Sequence, residues 1–161
     1  MLTQTELKRL LHYDPETGIF TRLIAKCNKV KVGEMVGNRN PKGYLRVNIM
    51  NKTHLLHRLA WLYVYGYSPK EIDHINGVKD DNKIENLREA ERYENMWNRD
   101  KPSTNTSGYK GVDWDRQKMK WRARCRLDGK RKHLGFFDTK DMAAEAYKMF
   151  AKNNHGEFYR D

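Results

Sequence analysis

Residues 72–98 read IDHINGVKDDNKIENLREAERYENMWN, and the fold of this 161-residue chain is decided there. The run carries a carboxylate (Asp73), a histidine (His74) and two carboxamides (Asn86 and Asn95), split by the turn-forming Lys79-Asp80-Asp81-Asn82. A carboxylate and an amide oxygen are hard ligands able to hold a divalent cation, and a neighbouring neutral imidazole can deprotonate water. Adjacent strand residues point to opposite faces. Joint use of Asp73 and His74 therefore calls for an irregular strand end, which Gly77 and the Asp80–Asn82 turn would permit. The segment is expected to run strand, turn, irregular loop and then a helix over about Arg92–Asn98.

Toward the N-terminus, Thr3 to Leu11 has Leu7, Leu10 and Leu11 on one helical face, with Thr3 or Thr5 as cap. Tyr13 to Gly18 is a Pro- and Gly-containing turn leading into a strand from Ile19 to Leu23. Residues 25–43 read as loop with a short strand near Glu34–Val36. Tyr44–Ile49 alternates as a strand, turned by Met50–Thr53 into a second over His54–Leu56. An aromatic-rich helix, His57–Tyr65, ends at Gly66. Residues 101–108, KPSTNTSG, contain no apolar side chain and read as a linker. Beyond it come strands over Tyr109–Asp115, Lys120–Leu127 and Lys130–Phe137, the last two joined at Asp128-Gly129. A helix over Asp141–Lys152, capped by Asp138 or Thr139, closes the chain. The expected class is α+β: residues 1–100 form a β-rich module with its core at 54–98, and 109–161 form a three-stranded antiparallel sheet packed on one helix.

Charge narrows the partners. The formal net charge is +11 and the pI about 9.6. Residues 1–100 hold 17 Lys/Arg against 13 Asp/Glu, and 101–161 hold 15 against 8, so the C-terminal part is the more cationic. Such a surface fits a polyanion. No apolar run approaches a membrane span and the start MLTQTELKRLL has no signal-peptide core, so nucleic acid is the expected partner, with no membrane and no small-molecule substrate. Cys27 and Cys125 form no CxxC pair, which argues against structural zinc, and a bridge between them is disfavoured because Cys125 falls on an apolar strand face. A reducing cytoplasm fits.

Residues 54–98 resemble the HNH nuclease family, in the branch found in phage and intron homing endonucleases. The resemblance is carried by His57-Arg58-Leu59-Ala60, Asp73-His74-Ile75-Asn76-Gly77, Asp81-Asn82, Asn86-Leu87 and Glu94-Asn95. Asp73-His74 alone would suit a helix cap or a surface pair; the downstream spacing sets it apart. The resemblance implies a ββα-metal fold, Asp73 and Asn95 as ligands of one Mg²⁺ (or Mn²⁺) ion, His74 as general base, and Asn86 as a loop brace outside the metal shell. Asn95 stands where many relatives have histidine, and an amide oxygen favours a hard ion over zinc. His57 reads either as a phosphate contact or as a packed structural histidine. Arg58, Arg92 and Arg99 read as phosphate clamps or solvated charges. His12, His54, His133 and His155 show no ligand-like spacing.

Lys120–Leu127, KWRARCRL, places Lys120, Arg122, Arg124 and Arg126 on one strand face and Trp121, Ala123, Cys125 and Leu127 on the other. A row of cations repels itself unless an anion covers it, and strands are an established reader of the major groove. Residues 107–158 resemble the plant APETALA/ethylene-response-factor DNA-binding domain through Tyr109-Lys110-Gly111-Val112, Trp121–Arg124, Leu134–Phe137 and Ala143–Tyr147. That resemblance implies DNA contacts by Lys110, Arg124, Arg126 and Arg131; the alternation adds Arg122. Asp113 and Asp115 stand where the plant domains carry arginine, and His133 where they carry tryptophan, so the plant target does not transfer.

The two resemblances together imply a metal-dependent, site-selective DNA endonuclease of homing type, with double-stranded DNA as partner, acting as a monomer or homodimer. The alternatives are a non-catalytic DNA-binding regulator and a non-specific HNH nuclease.

Overall fold

The computed structural model describes residues 2–25, 30–98, 101, 104–127 and 129–159. Cys27, Arg99 and Asp128, all invoked above, lie outside the described residues. The fold is α+β, with small antiparallel sheets, and the chain divides into two compact units, Met1–Ala90 and Glu91–Asp161.

The first unit opens with α1 (Gln4–Leu10). Its start is fixed by a capping box: Thr3 Oγ1 accepts from Glu6 N–H at 3.2 Å and Glu6 Oε2 accepts from Thr3 N–H at 3.0 Å. The chain turns extended at Leu11 and runs straight into β1 (Leu11–Asp14), paired with β2 (Ile19–Arg22). A strand thus occupies Leu11–Asp14, where the sequence reading has a helix end and a turn. A second sheet has the order β3 (Asn38–Arg39), β4 (Leu45–Ile49), β5 (Lys52–Leu55), and reverses at Met50 and Asn51, both at positive φ as a two-residue hairpin turn demands. After α2 (Leu56–Tyr65), closed by left-handed Gly66, β6 (Glu71–His74) pairs with β7 (Leu87–Ala90). The core joins Leu7, Tyr13, Phe20, Val47, Leu56, Leu59, Trp61, Ile72 and Leu87. It therefore anchors β6 and β7 from below.

One glycine sets the position of the loop between β6 and β7. Gly18, at φ +73°, lies so near that loop that a Cβ would sit 2.5 Å from Lys83 N and 2.6 Å from the Asn82 carbonyl carbon. Tyr13, fully buried, donates its hydroxyl to the Asn82 carbonyl oxygen at 2.7 Å. The β1–β2 hairpin therefore cradles Asn82.

The second unit begins with α3 (Arg92–Trp97). Three strands follow in the order β10 (Lys130–Phe137), β9 (Lys120–Leu127), β8 (Val112–Asp115), backed by α4 (Lys140–His155). Val112, Ala123 and Ala143 form one buried cluster and Cys125, Tyr147 and Ala151 another. Cys125 is a buried free thiol. Gly111, at φ +72°, lets Tyr147 reach the sheet; a Cβ there would meet the Tyr147 ring at 2.3 Å.

The boundary between units precedes α3, whereas the sequence reading sets it at residues 101–108. Trp97 is the reason: its indole N–H donates to the Arg126 carbonyl at 2.9 Å and its ring stacks on His155 at 4.1 Å. In the expected linker, buried Ser107 donates its hydroxyl to the Val112 carbonyl at 2.8 Å, and Asn105 Oδ1 accepts from Gly108 N–H at 2.9 Å. These residues form a turn tied to β8.

Candidate active site and nucleic-acid interface

Asp73 and His74 end β6 side by side, and both are buried, at 4% and 5% exposure. The ladder is regular through them, with Asp73 opposite Arg88 and His74 opposite Leu87, so the irregular strand end expected from the sequence is absent at these two residues and the chain leaves the strand only after His74. Their partners accordingly differ. Arg88 donates to Asp73 Oδ2 from Nε at 2.9 Å and from Nη2 at 2.7 Å. His74 Nε2 lies 3.3 Å from Asn82 Oδ1, and its ring meets that of His57 edge-on at 5.0 Å and that of Tyr44 at 5.9 Å.

The Asn82 amide fixes the imidazole tautomer. Its Nδ2 donates to the Asp80 carbonyl at 3.3 Å, which directs Oδ1 to His74. An amide oxygen only accepts, so His74 Nε2 carries the proton and Nδ1 the lone pair. Burial lowers the His74 pKa, against the opposing pull of the Asn82 hydrogen bond and of Asp73, Asp81 and Asp80. The ring is neutral at neutral pH, the state a general base needs.

His57 is pushed further, to about 3, by burial, by His74 and by Arg58, and its Nδ1 has no hydrogen-bond partner among the described residues. The unfolded chain binds a proton at its histidines near pH 6.5, roughly the free imidazole value; folded His57 does not until about pH 3. Below pH 6.5 the unfolded state therefore holds more protons, and stability falls as pH drops toward 3. The slope from His57 alone is at most about 1.4 kcal/mol per pH unit. His57→Phe should flatten the loss of denaturant midpoint between pH 6.5 and 4 by about one proton's worth. Parallel curves for the two proteins would exclude His57 as the linked group.

The loop after β6 is closed by carboxamides. Asn86 Oδ1 accepts from Asn76 N–H at 3.0 Å, and Asn86 Nδ2 donates to the Asp81 carbonyl at 2.8 Å. Asn76 Nδ2 donates to Asp81 Oδ2 at 2.7 Å, and Gly77, at φ +71°, turns the chain. Sequence reasoning overlooks Arg88 and Asn82 as working residues. Arg88 becomes visible only once the β6–β7 register is known. Asn82, quoted as a motif residue, is 1% exposed and holds the histidine.

Asn95 stands half-buried on α3, where its N–H bonds the Glu91 carbonyl at 3.0 Å. It belongs to the second unit and Asp73 to the first. No group of three or more His, Cys, Asp or Glu able to hold a metal occurs among the described residues. Asp73 nevertheless fits a hard cation that keeps most of its waters and takes one or two carboxylates, as Mg²⁺ does.

In the second unit the outer face of the sheet carries Lys120, Arg122, Arg124 and Arg126 on β9 and Arg131 on β10, with Arg131 directly opposite Arg126. The row is screened from within the sheet. Asp113 bonds both Arg122 and Arg124, Asp115 bonds Arg122, and Asp138 pairs with Lys120. Arg126 and Arg131 are exposed. Lys110 lies before β8 and donates to the Trp97 carbonyl at the end of α3. No helix among the described residues is long and apolar enough to cross a membrane.

A β6–β7 ribbon with a buried Asp-His end, joined in sequence to a three-stranded sheet on one helix, defines an HNH endonuclease domain followed by an AP2 domain. Residues 54–97 match the HNH endonuclease family and residues 107–157 the AP2 domain. The chain is 35% identical over 106 residues to "Protein 3.8" of Escherichia phage T7, covering 65% of this chain and 87% of that protein, and it belongs to that protein's family. No solved structure gives a significant match.

Proposed function

We propose that the chain is a metal-dependent, site-selective DNA endonuclease of homing type, cutting with the first unit's Asp73-His74 site and holding its target with the sheet of the second. The observation that carries this is His74: buried, neutral and oriented by Asn82, beside a carboxylate. His74 takes the proton from the attacking water. Asp73 supplies an anionic oxygen ligand, steadied by Arg88. Asn95 is assigned the second ligand by its place in the motif, and Asn86 keeps the loop closed. A bound Mg²⁺ or Mn²⁺ ion would stabilise charge on the phosphorane and on the departing 3′ oxygen. One such site per chain suits a nicking monomer or a homodimer that cuts both strands, and the expected compartment is the host-cell cytoplasm.

The Arg88–Asp73 pair favours one second reading, a DNA-binding regulator in which Asp73 is permanently neutralised. A plasmid-nicking assay separates the two. Cleavage should require millimolar Mg²⁺ or Mn²⁺ and stop with EDTA, while duplex binding persists. Metal-independent cleavage would remove the ion from the site, and binding without cleavage at any metal concentration would establish the regulator.

A further inference from the structure

Arg122 and Arg124 occupy the middle of the outer sheet face, opposite the side packed on α4, and β8 clamps them in different ways. Arg122 donates from Nη2 to Asp113 Oδ2 at 2.6 Å and from Nη1 to Asp115 Oδ2 at 2.8 Å. Both its terminal nitrogens are thus committed, and its side chain is 27% exposed. Arg124 instead presents its Nε–Nη2 edge to the single oxygen Asp113 Oδ1, at 2.9 and 2.8 Å. That leaves the Nη1–Nη2 edge of a side chain 39% exposed for another partner.

We infer that Asp113 is a specificity-determining positioning residue, which holds Arg124 edge-on to read guanine in a duplex major groove and bars it from the phosphate backbone. This rests on the duplex-facing reading of the sheet under Proposed function. Two physical effects point the same way. A carboxylate this close to the guanidinium cancels the charge that a phosphate contact exploits through counterion release. It also fixes the plane of the fork, and a fixed fork is what bidentate bonding to guanine O6 and N7 needs. Arg122 is the spacer that locks Asp113 to Asp115. The exposed pair Arg126 and Arg131, opposite each other across β9 and β10, supplies backbone attraction. Reading and holding are therefore divided between the middle and one end of the same face.

The test is binding-site selection by the full chain from a randomised duplex library in EDTA, then titration of the selected duplex and of copies with single guanines replaced. Arg124→Lys keeps the charge and loses the fork. It should erase roughly tenfold preference at one guanine with the salt slope unchanged. Asp113→Asn should erase preference at that same guanine while affinity for random duplex rises. Asp113→Asn that keeps the wild-type preference overturns the inference, provided its melting matches wild type. If that variant fails to fold, Arg124→Lys decides, and an unchanged preference there overturns it equally. Arg126→Glu with Arg131→Glu tests the underlying reading. Loss of binding there, alongside an intact Asp113→Asn preference, overturns the buttress alone. Undiminished binding there, with no wild-type sequence preference, overturns both.

Discussion

His74→Ala should slow cleavage by about 10²–10⁴-fold, the usual contribution of a positioned general base, and leave duplex affinity within about twofold of wild type. The expectation follows from what surrounds the ring. Asn82 occupies Nε2, burial keeps the imidazole neutral, and neither feature helps to grip a polyanion. Alanine also removes the ring contacts with His57 and Tyr44, so His74→Gln, closer in volume, is the companion variant. Both should be slow and both should bind, as read by single-turnover cleavage and by electrophoretic shift without metal. A matching fall in affinity for the two would make His74 a structural residue. Asn82→Leu should fall between them and wild type, because it releases the tautomer without removing the base.

Arg88→Ala should cost about 3–5 kcal/mol of stability, the range seen when one partner of a buried ion pair is removed. Asp73 and Arg88 are nearly enclosed, at 5% and 11% side-chain exposure, and face each other across the β6–β7 ladder. Alanine would leave a buried carboxylate without its guanidinium. The double variant Asp73→Asn/Arg88→Met should regain most of the loss, since neither remaining group then carries a stranded charge. Chemical denaturation of the full chain measures both, read by a probe in the first unit. Equal midpoints for the single and double variants would show that the pair contributes by packing alone. A practical consequence concerns Asp73→Ala: it strands Arg88, so lost activity in that variant reports folding as much as ligation. Asp73→Asn/Arg88→Met is the cleaner test of the ligand, read by Mn²⁺ binding.

The second unit was the more legible half. β9 and β10 span the ranges read for them, Lys120–Leu127 and Lys130–Phe137; β9 is fixed by its period-two alternation, whereas the pairing of β10 with it shifts register between His133 and Gly135. The helix that follows starts beside its Thr139 cap, as read, and runs on to His155. What alternation along β9 could not show was its neighbour. Counted along one strand, four cations repel; counted across the sheet, Asp113 and Asp115 answer two of them. Their signs were visible in the sequence, but their register to Arg122 was not.

The first unit was harder to read. β1 follows α1 with no Gly or Pro between them, so Leu11–Asp14 carries no local mark of the change. β7, Leu-Arg-Glu-Ala, buries its two ends and not alternate positions, which hides it from a period-two search. Asp73, His74 and Asn86 were legible as a group because their chemistry is unusual in one short run. Arg88 was not, since a long irregular loop separates the paired strands and fixes no register by itself. Trp97 gave no sign in sequence that it would join α3 to the sheet rather than to the residues before it.

The hairpin at the start of the chain has a consequence for engineering. Asn82 is held by Tyr13 and its loop is seated on Gly18, both well upstream of the residue at which the nuclease family match begins. A cassette cut at His54 for transplantation into another DNA-binding protein would leave behind the scaffold that aims its own histidine. The portable unit starts at the first helix, and a shorter graft would carry the motif without its alignment.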